Sequence, residues 1–372
     1  MLKNKIYRKW AVHFLSIFAI VTAVTMAINY AVDPMWCFDH ETPFAVWREV
    51  IDEREQKTNL LRFRDFDIDA LVIGSSRVMQ IDPEQVGENA FNMGFSACMP
   101  LEYPTLMEVF YRTKRHYPKK ILVGLDFFGA GVNYASGDSE NRALQSLAQL
   151  NENAFVYKLE KLASIELARK SVNLIRKNMK IDEDGIAYAD IKYSSGYMGT
   201  KAYYPPAADI EQKKSMCRSI YYDFMKIYEF FEYSEHYKEY LSSLIKPPVN
   251  AEVMPFVTPE GTLTMRLIAK TPGRLDDYER MLRESVEVFG GVWNFMYVNS
   301  VTSNHEYWRE PSHCLDQVNE WVLERMLGTG NPPSDFGVYV TRENIDEHVK
   351  EVRAQLIALR ETKDSWDTFM DE

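Results

Sequence analysis

The run Ala11–Val32, AVHFLSIFAIVTAVTMAINYAV, contains no Asp, Glu, Lys or Arg. At 1.5 Å of rise per residue, about twenty-two helical residues are enough to cross a hydrocarbon core of roughly 30 Å. His13, Ser16, Thr22, Thr25 and Asn29 dilute the run without breaking it. Lys3, Lys5, Arg8 and Lys9 precede it with no acidic residue among them, the bias that keeps a short flank cytoplasmic. The stretch is longer than a signal-peptide core and has no small-x-small exit before Asp33 and Pro34. The expectation is a cytoplasmic basic flank at 1–10 and a single-pass anchor at 11–32 in an inner or cytoplasmic membrane. The main domain then lies outside.

Despite that basic start, the whole chain is acidic in sum. A formal net charge of −11 leaves no concentrated positive surface for tracking phosphates, so nucleic acid is excluded as a partner of the large domain. Hydrophobic residues make up 46% and aromatic residues 13%, enough to fill a sizeable core, which excludes disorder for the bulk. Cys37, Cys98, Cys217 and Cys314 form no C-x-x-C pair and no zinc spacing; an extracytoplasmic location permits disulfides, but spacing pairs none of the four. No coherent set of metal ligands emerges around His116, His236 or His305, so no metal is expected.

A juxtamembrane connector at 33–64 includes the helix-compatible segment 44–61, and a soluble fold is expected from Asp65. Apolar runs at Ala70–Ile73, Asn89–Met93, Lys120–Phe128 and Asn294–Ser300 read as strands. Helical patterns at Leu101–His116, stopped by Pro118, and at Leu275–Phe289 lie between them. Strands separated by helices imply an α/β fold with a mostly parallel sheet covered on both faces. Residues 133–272 read as a large, mainly helical insertion, with helices over 154–179 and 220–244 and a Tyr/Gly-rich turn at 193–204. A C-terminal helical extension occupies 331–372, with a helix pattern over 341–359.

The stretch Ala70–Met79, ALVIGSSRVM, places two serines where a buried strand should end. In open α/β sheets reactive groups sit outside the carboxyl ends of strands. A serine there also caps a following helix with its hydroxyl, so the position alone decides nothing. Far downstream, His313 precedes an amphipathic helix in which Val318, Val322 and Met326 share a face and Gly328 is the stop, making it a loop histidine. Glu310 stands three residues earlier. If the two loops meet, His313 removes the Ser76 proton while Glu310 supports the imidazolium.

These blocks resemble the SGNH or GDSL-type esterase superfamily, especially its membrane-associated branch of envelope O-acylation proteins. G-S-S-R at 74–77 places Ser76 at the nucleophile position, with Ser75 replacing the usual acidic residue. N-M-G-F-S at 92–96 carries Asn92 and a glycine, Gly94, similar to the oxyanion-hole glycine. E-P-S-H at 310–313 is similar to the D-x-x-H ending, with Glu for Asp. V-G-L-D-F-F at 123–128 falls where many members have G-x-N-D, which puts Asp126 in place of an oxyanion-supporting Asn. An ionised Asp cannot donate to an oxyanion, so Asp126 either organises the pocket or carries a proton, or the site relies on backbone N–H groups. Arg77 contacts an anionic substrate group or ties its loop to Asp82 or another acid.

The resemblance covers about 65–129 and 292–328. It implies a three-layer α/β/α domain over 65–330, with Ser76, His313 and Glu310 catalytic and the Ser76 and Gly94 N–H groups as the oxyanion hole. Ser75, Arg77, Asn92 and Asp126 form the surrounding support. The implied reaction is O-acyl transfer, as in O-acetylation of an exopolysaccharide or other envelope glycan, through an acyl-serine. Hydrolysis by a carbohydrate esterase, or glycan binding by a catalytically weak assembly protein, are the alternatives. No tightly bound cofactor is implied, only an acyl donor, and a multipass membrane-bound O-acyltransferase is the implied protein partner.

Overall fold

A computed structural model describes residues 2–40, 42, 50–132, 139–183, 197–202, 207 and 209–371. The sheet has the order β2-β1-β3-β4-β5-β8, from Ala90–Asn92 (β2), Ala70–Ile73 (β1), Lys120–Leu125 (β3), Glu252–Val257 (β4), Gly291–Asn294 (β5) and Val338–Thr341 (β8). All neighbours run parallel except β8, which closes the β5 edge antiparallel. Trp308–Glu310 (β6) and His313–Cys314 (β7) make a separate antiparallel pair.

Alternation along each strand sends side chains to two cores. Leu71, Ile73, Ile121, Val123, Val257 and Val292 join the larger cluster, while their neighbours Val72, Leu122 and Phe256 join the other. The helices Tyr103–Lys114, Thr262–Lys270, Arg274–Phe289 and Ile345–Ala358 pack into the first cluster; Asp316–Leu327 and Ser365–Asp371 pack into the second. Both faces are therefore covered, the arrangement expected of a three-layer α/β/α fold. The strand order reverses between β1 and β3, so the crevice beyond their carboxyl ends is the favoured place for a site.

Several boundaries differ from the sequence reading. The strand expected at Asn294–Ser300 is Gly291–Asn294; Phe295, Met296 and Tyr297 are buried as a loop, which is why the apolar run did not end with the strand. The insertion ends before β4, which lies between β3 and β5 inside 133–272. Pro255 hid that strand, because a missing N–H argues against an interior position. It is tolerated because β5 pairs only with Phe256 and Val257. The expected helix over 154–179 is two, Ala154–Ala163 and Ile165–Glu183, and that over 220–244 is also two, Ile210–Glu229 and Tyr237–Ser242. Residues 331–372 are not helical throughout, since they supply β8. Of the turn at 193–204, only 197–202 lie among the described residues, as do only 50–61 of the connector segment 44–61.

The connector is not a tether. The Asp33 carboxylate accepts from the N–H groups of Cys37 (2.8 Å) and Phe38 (3.0 Å), and the Gln56 and Asn59 amides donate to the carbonyls of Pro34 and Met35, both at 2.8 Å. The helix Glu53–Phe63, capped by the Asp52 side chain, buries Gln56 through Leu61 and so belongs to the domain. The first helix, Leu2–Val32, is long and apolar enough to cross a membrane. All four cysteines are buried free thiols.

His348 illustrates how the helix Ile345–Ala358 is held. Asn294 Oδ1 accepts from the Tyr278 hydroxyl and the Met296 N–H, which turns its Nδ2 to donate to His348 Nε2 at 2.9 Å. That bond requires a neutral imidazole, and burial pushes the His348 pKa down to about 4. The unfolded chain binds this proton near pH 6.5, so the contribution is intact above that value and is lost as pH falls through 6.5 toward 4. In urea unfolding between pH 7 and 4.5, His348→Gln is expected to flatten the acid loss of stability by roughly 1–3 kcal/mol.

Candidate active site

β1 ends at Gly74, whose φ of +143° suits glycine and few other residues. A Cβ there would also meet the Gly124 carbonyl at 2.8 Å. Cβ atoms on Gly94 and Gly124 would come within 2.8 and 2.3 Å of the Val78 methyls. Val78 therefore plugs a socket that glycines at the ends of β1, β2 and β3 leave open, fixing the tight turn Ser76–Val78. Asn92 clamps the turn from below, its amide donating to the carbonyls of Val78 and Ile81, both at 2.9 Å. Ser75 is fully buried and accepts the Arg77 N–H at 3.3 Å, the capping role. Ser76 stays partly exposed above it.

The second half is the β6–β7 hairpin, in which Glu310 stands directly opposite His313. The sequence reading placed His313 in a loop; it begins a two-residue strand instead. The Gly261 N–H donates to the Pro311 carbonyl at 2.7 Å and ties the hairpin to the segment after β4. The helix Asp316–Leu327 follows, with Val318 and Val322 buried and Gly328 left-handed at its end as its pattern implied, while Met326 is only partly buried and Leu323 joins the core instead.

The two halves meet. His313 Nε2 lies 2.7 Å from Ser76 Oγ, and Nδ1 bonds Glu310 Oε1. Glu310 Oε2 accepts the Ser312 N–H at 2.7 Å, so the buried carboxylate is held at both oxygens. With Glu310 taking the Nδ1 proton, the lone pair of Nε2 faces the Ser76 hydroxyl. That tautomer, assigned from the bonding network, is the one a general base needs.

Arg77 is the buried link between the halves. Its Nε and NH2 donate to Ser312 Oγ at 3.2 and 3.1 Å, and NH1 reaches Asp126 at 3.2 Å and Thr258 Oγ1 at 3.3 Å. NH2 lies 3.3 Å from Glu260, and the guanidinium sits 5.4 Å from the Phe128 and Phe224 ring centres. Burial alone would lower its pKa, but Glu260 and Asp126 outweigh that and hold it above its ordinary value. Burial raises the Glu260 carboxyl despite the arginine. Of the two readings of Arg77, the structure carries the tie to acidic groups, with Asp126 and Glu260 as partners.

Asp126 is correspondingly committed: Thr258 Oγ1 donates to it at 2.5 Å beside the arginine contact. Its carboxylate ties Arg77 to Thr258 beneath the Ser76 turn. Gly94 needs a correction, because its N–H donates to Asn92 Oδ1 at 3.0 Å and so is not a free oxyanion donor. Its carbonyl accepts from Lys57 Nζ at 2.6 Å, and burial lowers that lysine to about 8. The Ser76 N–H, at the first position of its turn, has no acceptor among the described residues and remains available to an oxyanion. Cys314 is no rival nucleophile, since burial pushes its thiol up to about 12.

Ser312, Thr258 and Glu260 were not singled out from the sequence. Ser312 stands inside E-P-S-H, and the other two follow the strand that Pro255 concealed. Among the described residues no group of three or more His, Cys, Asp or Glu could hold a metal ion. His305 instead stacks on Phe369 with ring centres 4.5 Å apart, and His236 pairs with Glu239. No protein-family model and no curated protein matches this chain.

Proposed function

We propose that this chain is a serine-dependent O-acyltransferase of the SGNH type, anchored by its first helix, that moves an acyl group such as acetyl to an extracytoplasmic envelope glycan. The single supporting observation is the Ser76–His313–Glu310 relay, assembled from positions 237 residues apart at the crevice the strand order favours. Ser76 Oγ attacks the donor carbonyl as His313 takes its proton. The Ser76 N–H stabilises the oxyanion, and collapse expels the donor oxygen, protonated by His313, leaving an acyl-serine. A carbohydrate hydroxyl, deprotonated by the same imidazole, then attacks the acyl carbonyl; the acyl–Oγ bond breaks and His313 returns the proton to Ser76 Oγ, freeing the acylated glycan.

The test is intact-mass analysis of the full chain in detergent with 4-nitrophenyl acetate, followed by acetylation-competent oligosaccharides. One acetyl group on Ser76 that glycan discharges faster than buffer supports transfer. Discharge indifferent to glycan assigns a carbohydrate esterase, and no adduct at all rejects nucleophilic chemistry.

Glu310→Gln probes the relay separately. Its amide can present N–H to Nδ1 and favour the wrong tautomer, so kcat is expected to fall by about 10³–10⁴-fold. Unchanged thermal unfolding would show that the scaffold survives.

A further inference from the structure

The anchor helix has two environments. Val12, Phe14, Leu15, Ile17 and Val21 are exposed, whereas Thr25, Asn29 and Val32 are buried against the domain. Asn29 is the deepest polar contact. Its Nδ2 donates to the carbonyls of Leu162 (2.9 Å), Ser164 (2.8 Å) and Lys161 (3.2 Å), and its Oδ1 accepts from Ser171 Oγ at 3.1 Å. Those carbonyls end the helix Ala154–Ala163 and lead into Ile165–Glu183. Helix-end carbonyls usually turn to water; here the spanning helix satisfies them, which lipid depth demands.

Length places this junction. From Lys9, the last basic residue of the flank, to Asn29 is about twenty residues, or roughly 30 Å of helix. Trp10 and Tyr30, 68% and 50% exposed, bracket the same span, as aromatic side chains do at the two interfaces of a bilayer. If the flank stays at one headgroup layer, Asn29 and the junction it clasps reach the other.

The clasping helices present the surface such a position needs. Phe155, Val156 and Leu159 project from one face of the first, and Ile165 begins the second; Phe155 and Ile165 are 74% and 71% exposed. The two helices carry seven Lys or Arg against four Asp or Glu, a basic excess in a chain whose net charge is −11.

We infer that the helices Ala154–Ala163 and Ile165–Glu183 form an interfacial paddle on the same bilayer that the anchor crosses. Its apolar face enters the boundary of the hydrocarbon, and its basic residues meet anionic phospholipid headgroups. The paddle fixes the domain's height and tilt instead of leaving it on a swivelling stalk.

The test uses the full chain in nanodiscs of phosphatidylcholine and phosphatidylglycerol. Spin labels are attached at Phe155→Cys, Ile165→Cys, Phe14→Cys in the anchor and Tyr339→Cys on β8, the sheet edge opposite β2. Positions 14, 155 and 165 are expected to collide several-fold more with dissolved oxygen than with a water-soluble nickel chelate, and position 339 the reverse. Chelate access at 155 and 165 overturns the paddle, with position 14 reporting separately whether the anchor is inserted. Access by neither reagent at 155 and 165 also overturns it, by assigning that face to a protein partner.

Discussion

Ser76→Ala is expected to remove the covalent acyl adduct entirely and to lower acyl transfer by at least about 10³-fold, while thermal unfolding stays within about 1 kcal/mol of wild type. The first part follows because Ser76 Oγ is the hydroxyl held against His313 Nε2, at 2.7 Å. The second follows because the Ser76 hydroxyl carries little structure: Val78, Asn92 and Ser75 hold the turn, and none of them does so through Ser76 Oγ. The residual rate should resemble that of His313→Ala, and the double variant should be no worse than either single one, since a relay that acts as a unit is non-additive. Additive losses in the double variant, or an adduct that persists in Ser76→Ala, would show that the two side chains do not act together.

The strands whose ends carry Ser76 and Asp126 were legible because each is a short apolar run closed by a turn. β1 coincides with its expected bounds; β3 begins where expected but ends at Leu125 instead of Phe128, so Asp126 stands just past the strand and not within it. The pairing of Ser76 with His313 was an inference from chemistry and from the resemblance of two short blocks, since nothing local in either loop states that they meet. What joins them is Arg77, and its partners were illegible for a physical reason. A buried ion cluster is assembled from the ends of different strands, so Asp126, Thr258, Glu260 and Ser312 share no spacing a reader could recognise. Gly94 shows the converse: the sequence marked the right residue, but its reason is the room it leaves for Val78 and the turn it makes with Asn92.

Arg77→Met is expected to be the most destabilising single substitution at the site, costing roughly 3–5 kcal/mol in chemical denaturation at pH 8. The loss is not the worth of an ion pair. It is the cost of leaving the buried carboxyl groups of Asp126 and Glu260 without the cation that faces them both. That cost has a pH signature. Without Arg77, which lowers the Glu260 pKa, the already raised carboxyl moves further up. A group whose folded pKa lies above its unfolded value favours the folded state below the unfolded pKa and loses that contribution as pH rises through the folded one. The deficit of Arg77→Met should therefore shrink between pH 8 and 5, and Glu260→Gln added to it should recover part of the loss at pH 8. Activity should report a second role. Because Arg77 follows Ser76 and its guanidinium holds Ser312, next to His313, the variant loosens both halves of the relay. Arg77→Lys keeps the charge but cannot reach Ser312 and both carboxylates with one fork, so it should regain stability before it regains kcat. Equal recovery of the two would make Arg77 a structural counter-ion alone.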